Sequence, residues 1–187
     1  MIHQLRISLT GTEPEIWRSF KINSNSTFEE LHIAIQVVMG WDNSHLYEFK
    51  NKDFIIGKEY DDDYVNEKLI PSDSIAIEDV LLRKKSNIIY TYDFGDSWHH
   101  EVVVENIIND EVLLYPVCLK GEINCPPEDC GGIWGYYNLL DIIKDKKHPE
   151  YRDWIDWVGK DYDPDQFDPK VVNKVLSQMK ISRKKKK

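Results

Sequence analysis

Residues 90–106, which read YTYDFGDSWHHEVVVEN, decide the fold of this chain. Apolar and polar side chains alternate up to Asp93, the alternation stops at residues 94–97, and it resumes from Trp98. A period of two is typical of a strand with one buried face, and Gly95 next to aspartate favours a tight turn. We therefore predict a β-hairpin whose tip carries two carboxylates, two imidazoles and an indole.

The second strand of this hairpin separates its two histidines, because successive side chains of a strand point to opposite faces. His100 shares its face with apolar residues, so we predict that it lines a pocket. His99 shares its face with carboxylates, so we predict that it faces water. The two faces are, respectively, Trp98, His100, Val102 and Val104, and His99, Glu101, Val103 and Glu105.

The carboxylates of the tip allow two interpretations. An imidazole beside Asp93 or Asp96 could have its tautomer fixed and act as a base, a metal ligand or a proton shuttle. Alternatively, aspartate beside glycine is ordinary turn chemistry, in which the carboxylate accepts neighbouring backbone N–H groups. Both interpretations stay open from the sequence.

Outward from the hairpin, the patterns predict an α+β fold. The first sixty residues predict strand, strand, helix, strand, strand, which is an amino-terminal β-β-α-β-β half resembling a β-grasp. Ser26 with Glu29 has capping-box spacing at the start of the helix, and Gly40 ends it. A short helix over 74–82 and an antiparallel meander over 87–118 follow, with Pro116 marking the third strand as an edge. From Gly132 the carboxyl third is predicted to be helical, and its last helix is capped by Asp168 before Pro169.

Residues 118–137, CLKGEINCPPEDCGGIWGYY, form a second cluster of reactive side chains. Cys118, Cys125 and Cys130 together with His100 would make a tetrahedral zinc site, and another divalent metal is a further option. Structural zinc sites usually contain a tight Cys-x2-Cys pair, which is absent here. The alternative is that the thiols pack as small hydrophobic groups. Carboxylates at Glu128 and Asp129 favour a cation or a basic partner group in this loop.

Composition limits the function classes. With 187 residues, 41% of them hydrophobic, we predict one domain over 1–181 and a disordered basic tail over 182–187. No apolar run approaches eighteen residues, and no signal peptide precedes the first strand, so we expect a cytoplasmic protein without membrane contact. The net charge of −9 disfavours nucleic acid except through the tail. The acidic residues 59–64 could hold a hard cation, or they could form a solvated loop.

Several motifs along the chain carry a family resemblance. They are Pro14-x-Ile16-Trp17-Arg18, Gly40-Trp41-x-x-Ser44-His45-Leu46, Tyr92-Asp93-Phe94-Gly95-Asp96-x-Trp98-x-His100, Pro116-x-Cys118-x-x-Gly121, Cys125-Pro126-Pro127-Glu128-Asp129-Cys130-Gly131-Gly132 and Phe167-Asp168. With these motifs the chain resembles the plasmid pRiA ORF-three-like family. Members of that family occur on plasmids and as passenger proteins of insertion sequences, where some carry a resolvase-like (TnpR-like) label. The resemblance implies a fold and a candidate site, but no reaction, and the clustered arginines that a recombinase needs are missing.

We predict that the hairpin tip and the Cys-Pro-Pro-Glu-Asp-Cys loop converge on one acidic, aromatic-lined groove of a non-enzymatic binding module for a protein or peptide partner. Its candidate binding residues are Asp93, Asp96, Trp98, His100, Glu128 and Asp129. The rival hypothesis is a metal-dependent hydrolase or nuclease that uses Asp93, Asp96, His100 and Glu128. A third possibility is an accessory nucleic-acid role through the lysine tail.

Overall fold

The structure, a computed structural model, describes residues 1–58, 69–109 and 111–179. Strands and helices follow one another along the chain without a repeating pattern. The strands are β1 (Ile2–Leu9), β2 (Trp17–Asn23), β3 (Tyr47–Lys50), β4 (Ile55–Gly57), β5 (Leu69–Pro71), β6 (Asn87–Tyr92), β7 (Trp98–Ile108) and β8 (Val117–Glu122). The helices are α1 (Phe28–Met39), α2 (Ile77–Val80), α3 (Gly132–Lys144), α4 (Tyr151–Val158) and α5 (Pro169–Leu176).

All eight described strands form one sheet in the order β5-β4-β3-β6-β7-β1-β2-β8. Neighbouring strands are antiparallel except for β4 and β5, which are parallel. The α+β fold is therefore confirmed. The amino-terminal half does not form a sheet of its own, however, because the hairpin of β6 and β7 lies between the pair β1–β2 and the pair β3–β4.

The third strand of the predicted meander lies elsewhere. Strand β8 pairs with β2 and forms an edge of the sheet, so the hairpin β6–β7 is not extended by it. Pro116 directly precedes β8, and proline is tolerated at the edge of a sheet because it lacks an N–H donor. This pairing carries the chain across the sheet and brings the loop after β8 toward the tip of the hairpin.

The hydrophobic core lies between one face of the sheet and helix α1. Along β7 the buried side chains are Trp98, His100, Val102 and Val104, while His99 and Glu101 are exposed, as the alternation predicts. Helix α1 begins one residue later than expected. Thr27 is its cap, and its hydroxyl accepts from the Glu30 amide at 3.2 Å. Glu30 completes the capping box because its Oε2 accepts from the Thr27 amide at 3.0 Å.

The carboxyl third contains helices α3, α4 and α5. Asp168 caps α5, and its Oδ1 accepts from the Lys170 amide at 2.8 Å, as predicted. Helix α2 covers only four residues of the predicted segment 74–82. No described helix is both long and apolar enough to cross a membrane.

Two of the predicted features lie outside the described residues. They are the acidic segment 59–64, which was a candidate cation site, and the basic tail 182–187. The proposed nucleic-acid role of the tail and the domain boundary at residue 181 therefore stay predictions.

Candidate functional site

The tip of the β6–β7 hairpin is built around Asp93. Tyr92 and Trp98 form the last pair of the two strands, and Asp93 turns the chain with a positive φ of 55°. Its amide donates to the Leu46 carbonyl at 2.9 Å, which ties the tip to the segment before β3. Its Oδ1 accepts from the Gly95 amide at 2.9 Å. Asp93 Oδ1 thus forms a hydrogen bond within the turn, and Asp93 Oδ2 is available for contacts with other segments.

The hairpin tip contacts the Cys-Pro-Pro-Glu-Asp-Cys loop, as we predict from the sequence. The Tyr92 hydroxyl donates a short hydrogen bond to Glu128 Oε1. Asp96 Oδ2 accepts from the Gly131 amide at 3.1 Å. The Trp41 indole N–H donates to the Pro126 carbonyl at 2.9 Å, which anchors the loop on the core. We call the resulting surface the tip cleft. It comprises His45, Asp93, Asp96, Glu128 and Asp129.

A glycine allows this close approach. A Cβ at Gly132 would lie 2.6 Å from the Asp96 carbonyl oxygen, a separation that real side chains do not adopt. Gly132 also has a φ of +67°, which glycine adopts without steric cost. The Gly131-Gly132 pair therefore lets helix α3 start directly against the hairpin tip.

His45 completes the tip cleft, although the sequence did not identify it as a candidate. Its Nε2 lies 2.9 Å from Asp129 Oδ1 and 3.7 Å from Asp93 Oδ2. Nε2 is buried, yet it has no hydrogen-bond partner among the described residues, because neither carboxylate is aligned with the ring nitrogen. The three ligand atoms all lie within 4.8 Å of one another. Asp129 is 66% exposed, so the cluster is open to solvent on one side.

The spacing of these three atoms distinguishes between possible cations. A divalent metal at about 2.1 Å from each ligand separates neighbouring ligands by about 3.0 Å at right angles and about 3.4 Å at the tetrahedral angle. An ammonium group with hydrogen bonds of about 2.8 Å would separate its acceptors by about 4.6 Å. The observed 2.9 and 3.7 Å are closer to the metal values than to the ammonium value, although 2.9 Å is also the length of a direct ion pair between an imidazolium and a carboxylate. The third separation is at most 4.8 Å. His45, Asp93 and Asp129 are therefore the residues that could hold a metal ion.

Tyr92 links the parts of the tip cleft. Its hydroxyl accepts from the amides of Ser44 at 2.9 Å and His45 at 3.2 Å while it donates to Glu128. Burial raises the pKa of Tyr92 above its ordinary value, and the neighbouring Glu128 carboxylate adds to this effect. The hydroxyl is therefore a fixed hydrogen-bond donor at neutral pH, and it orients both His45 and Glu128.

Trp98 and His100 lie in the core and not in the tip cleft. Both side chains are fully buried, and the His100 ring is 5.3 Å from the ring of Trp41. Burial lowers the pKa of His100 to about 3, so the imidazole is neutral. His100 Nδ1 lies 3.3 Å from the Tyr90 carbonyl, while His100 Nε2 and Trp98 Nε1 have no partner among the described residues. His100 lies on the buried face of β7, as the alternation predicts, and it is remote from solvent. That it lines a pocket stays a prediction.

The three cysteines are free, buried thiols. Burial raises the pKa of Cys118 to about 11 and those of Cys125 and Cys130 to about 12, so all three are protonated at neutral pH. Within residues 1–58, 69–109 and 111–179, His45, Asp93 and Asp129 form the group whose potential ligand atoms lie close enough together to hold one metal ion. The structure does not gather the thiols with His100, and zinc binding by that set stays a prediction.

Exposed apolar side chains adjoin the tip cleft in the sequence. Leu46 follows His45 and is 48% exposed, and Phe94 follows Asp93 and is 47% exposed. Trp134, in the first turn of α3, is 88% exposed. Large exposed apolar groups beside a polar cluster are typical of interaction surfaces. We call these three residues the apolar rim.

The sequence offered one signal for His45. It lies in the quoted motif Gly40-Trp41-x-x-Ser44-His45-Leu46, as the first residue of a strand predicted over 45–50. Nothing in the local pattern, however, shows that β3 pairs with β6, with Tyr47 opposite Tyr92. That pairing places the residues before β3 beside the hairpin tip. The candidate ligands Asp93 and Asp129 were predicted, whereas their histidine partner was missed.

Known proteins resemble this chain over nearly its whole length. The model of the family described as plasmid pRiA4b ORF-3-like protein matches residues 1–171. The uncharacterised protein y4hQ of Sinorhizobium fredii is 31% identical over 180 residues, which cover 94% of this chain and 91% of that protein. The crystal structure of MM3350, a protein of unknown function from Methanosarcina mazei Go1, has a TM-score of 0.80 and 38% sequence identity, covering 91% of this chain and 96% of that one. The chain therefore belongs to the plasmid pRiA4b ORF-3-like family.

Proposed function

We propose that the chain is a binding module in which the tip cleft holds a divalent metal ion and the apolar rim contacts a protein or peptide partner. The separation of His45 Nε2 from the two carboxylate oxygens carries the proposal, since it suits a metal ion better than an ammonium group. An imidazole with two carboxylates is a donor set that suits zinc or manganese.

Metal binding is tested by calorimetry and by elemental analysis of protein purified without an affinity tag. We expect about one equivalent of zinc or manganese per chain, and we expect His45→Ala to weaken binding at least tenfold. His99→Ala is the control, because His99 lies on β7 near the tip of the β6–β7 hairpin but faces solvent. Equal affinity in the two variants would refute the proposed site. Zinc that is lost in Cys125→Ser but kept in His45→Ala would support the thiol set instead.

Partner binding is tested by a pull-down from native extract with divalent metal present. A double variant, Phe94→Ala with Trp134→Ala, should lose a partner that the unmodified protein retains, because exposed aromatic side chains contribute most to interfaces. Val112→Ala is the control, since Val112 is 81% exposed and does not belong to the apolar rim. Recovery of the same proteins by all three forms would argue against the rim as an interface.

A metal-dependent hydrolase or nuclease is the second candidate. The observation in its favour is that the cluster offers three protein ligands and an open side, an arrangement typical of catalytic metal sites. In this version His45, Asp93 and Asp129 hold the metal, and Glu128 is the candidate base. His100 is too deeply buried to take part, and Asp96 is bonded to the Gly131 amide.

An activity assay separates the two candidates. A hydrolase predicts metal-dependent turnover of bis(p-nitrophenyl) phosphate that is abolished in His45→Ala and reduced in Glu128→Gln. If the chain is a binding module, we expect no turnover of this substrate, and we expect Glu128→Gln to recover the same partner in the pull-down. Turnover that survives in His45→Ala would exclude this site as its source.

We infer a cytoplasmic setting from the three cysteines, because they are free thiols and buried. An association with plasmids or other mobile elements is proposed from the family resemblance. Growth in the presence of a membrane-permeant thiol-reactive reagent should leave the buried thiols unmodified, as mass spectrometry of the purified protein would show.

A further inference from the structure

Arg18 on β2 is a buried cation that the tip cleft does not use. Its side chain is 1% exposed. Nε donates to the Val38 carbonyl at 2.9 Å, and Nη1 donates to the carbonyls of Trp17 at 2.8 Å and Glu122 at 2.7 Å. Three of the five guanidinium donors are thus used by backbone oxygens, which hold the group in one orientation. The two N–H groups of Nη2 form no hydrogen bond to a described residue.

In the described part of the chain, the charge of Arg18 has no carboxylate partner, since no aspartate or glutamate there forms an ion pair with it. Burial lowers the pKa of Arg18, and the groups that counter this effect are Cys125, Cys118 and Tyr136. Burial raises the pKa of each of these three groups to about 11 or 12, so they are uncharged at neutral pH. A buried cation without a counter-charge is costly, which points to an anionic ligand.

Arg18 lines a cavity of about 250 Å³. The Phe167 ring covers the guanidinium, with 3.8 Å between Cζ and the ring centroid. The amide side chains of Asn124 and Gln166 are the neutral polar groups of the lining. Its apolar lining is formed by Val38, Met39, Phe167, Val171 and Val172. The cavity is slightly smaller than the roughly 300–1,000 Å³ typical of sites for drug-sized ligands.

We propose that this cavity binds a small aliphatic monocarboxylate, with its carboxylate on Arg18 Nη2 and its hydrocarbon part against the apolar lining. The site is separate from the tip cleft and does not depend on the function proposed for it. Apolar walls favour a ligand with a hydrocarbon body over inorganic phosphate, whose oxygens would need more donors than Nη2 offers.

Asp168 limits the charge of the ligand. Its carboxylate also lines the cavity, where Oδ1 caps helix α5. A second negative charge on the ligand would be repelled by this group, so a monoanion is favoured. Asp168→Asn keeps a capping side chain but removes the charge, and it should therefore raise the affinity for a carboxylate several-fold.

Isothermal titration calorimetry with sodium 4-methylpentanoate tests the proposal. We expect binding to the unmodified protein and a loss of at least tenfold in Val171→Trp, because the indole would fill the cavity. Val171 is 63% exposed, so this change leaves the core intact. Val175→Trp is the matched control, since Val175 is 49% exposed on the same helix but does not line the cavity, and it should bind normally.

Further ligands and variants decide which part of the proposal holds. Equal binding of 4-methylpentan-1-ol would overturn the contact between carboxylate and Arg18, and equal binding of inorganic phosphate would overturn the role of the apolar walls. Arg18→Leu should abolish binding if it folds. If it does not fold, Val171→Trp and Asp168→Asn still test the site, and unchanged affinity in both would refute it.

Discussion

The tip cleft and the Arg18 cavity place charge in opposite ways. The tip cleft gathers carboxylates at the molecular surface, where Asp129 is 66% exposed and Asp93 is 7% exposed, whereas the cavity buries a guanidinium that is 1% exposed and has no carboxylate partner among the described residues. Trp41 connects the two regions. Its indole N–H donates to the Pro126 carbonyl in the loop of the tip cleft, and the preceding residue, Gly40, lines the cavity.

This difference shows what each region requires. An exposed carboxylate such as that of Asp129 costs little without a bound cation, since solvent screens its charge. The buried guanidinium of Arg18 is compensated by carbonyl dipoles, and the ligand that we propose would add to this, because little solvent reaches it. Other buried titratable groups are kept neutral by burial, among them the imidazoles of His32 and His100 and the three thiols.

We expect the largest effect on stability at acid pH, where the buried histidines would have to become charged inside the folded protein. Burial lowers the pKa of His100 to about 3 and that of His32 to about 4, from an ordinary value of 6.5. Because the folded-state pKa values are depressed, the unfolded chain binds protons first, and stability falls as the pH drops below about 6.5. Between pH 7.5 and pH 5 we expect each histidine to remove about 2 kcal/mol from the free energy of unfolding.

Urea denaturation at the two pH values measures this effect. The variant His100→Phe cannot take up the proton, so its loss of stability between pH 7.5 and pH 5 should be smaller by about 2 kcal/mol. His99→Gln is the control and should show the same pH dependence as the unmodified protein, since His99 is exposed. An identical pH dependence in all three proteins would show that His100 is not buried as described.

The next effect concerns the Arg18 cavity. A Cβ at Gly121 would lie 2.6 Å from Arg18 Cδ, 2.6 Å from the Trp17 carbonyl oxygen and 2.8 Å from Phe167 Cε1. Gly121→Ala must therefore displace the Arg18 and Phe167 side chains and the backbone of β2, and we expect it to destabilise the protein by about 3 kcal/mol. Gly57→Ala is a milder control, because its nearest contact would be 3.2 Å. Thermal unfolding of both variants is the measurement, and equal midpoints would contradict the packing around Arg18.

A smaller effect is expected at the hydroxyl of Tyr92 in the tip cleft. Tyr92→Phe removes the acceptor of two backbone amides and the donor to Glu128, so we expect a loss of about 2 kcal/mol and weaker metal binding. Tyr137→Phe is the control, since its hydroxyl bonds to the backbone of Glu13 in an exposed position. If both variants lost equal stability and kept full metal affinity, Tyr92 would have no role in orienting His45.

The smallest effect is expected at Asp96. Its carboxylate accepts one backbone N–H, from Gly131, and it is not among the proposed metal ligands. Asp96→Ala should cost about 1 kcal/mol of stability, while Asp96→Asn should cost less because the amide oxygen can still accept. Calorimetry should show metal affinity close to that of the unmodified protein. A loss as large as that of His45→Ala would place Asp96 among the ligands.

Local elements were largely predictable from the sequence. The break at residues 94–97, the inward direction of His100, the end of α1 at Gly40 and the capping of α5 by Asp168 all depend on neighbouring residues. The order of the strands in the sheet could not be predicted from neighbouring residues. Pairing of β8 with β2 joins segments about a hundred residues apart, and its register is set by packing and not by local sequence.

The sequence by itself determined an α+β chain with a polar hairpin tip, and it named Asp93 and Asp129 among six candidate binding residues, because periodicity and turn chemistry are local properties. Only the tertiary structure decided that His45 joins those carboxylates, that the thiols are buried, and that Arg18 faces a cavity. The physical reason is that burial and proximity depend on which strands pair, and strand pairing is a property of the whole chain.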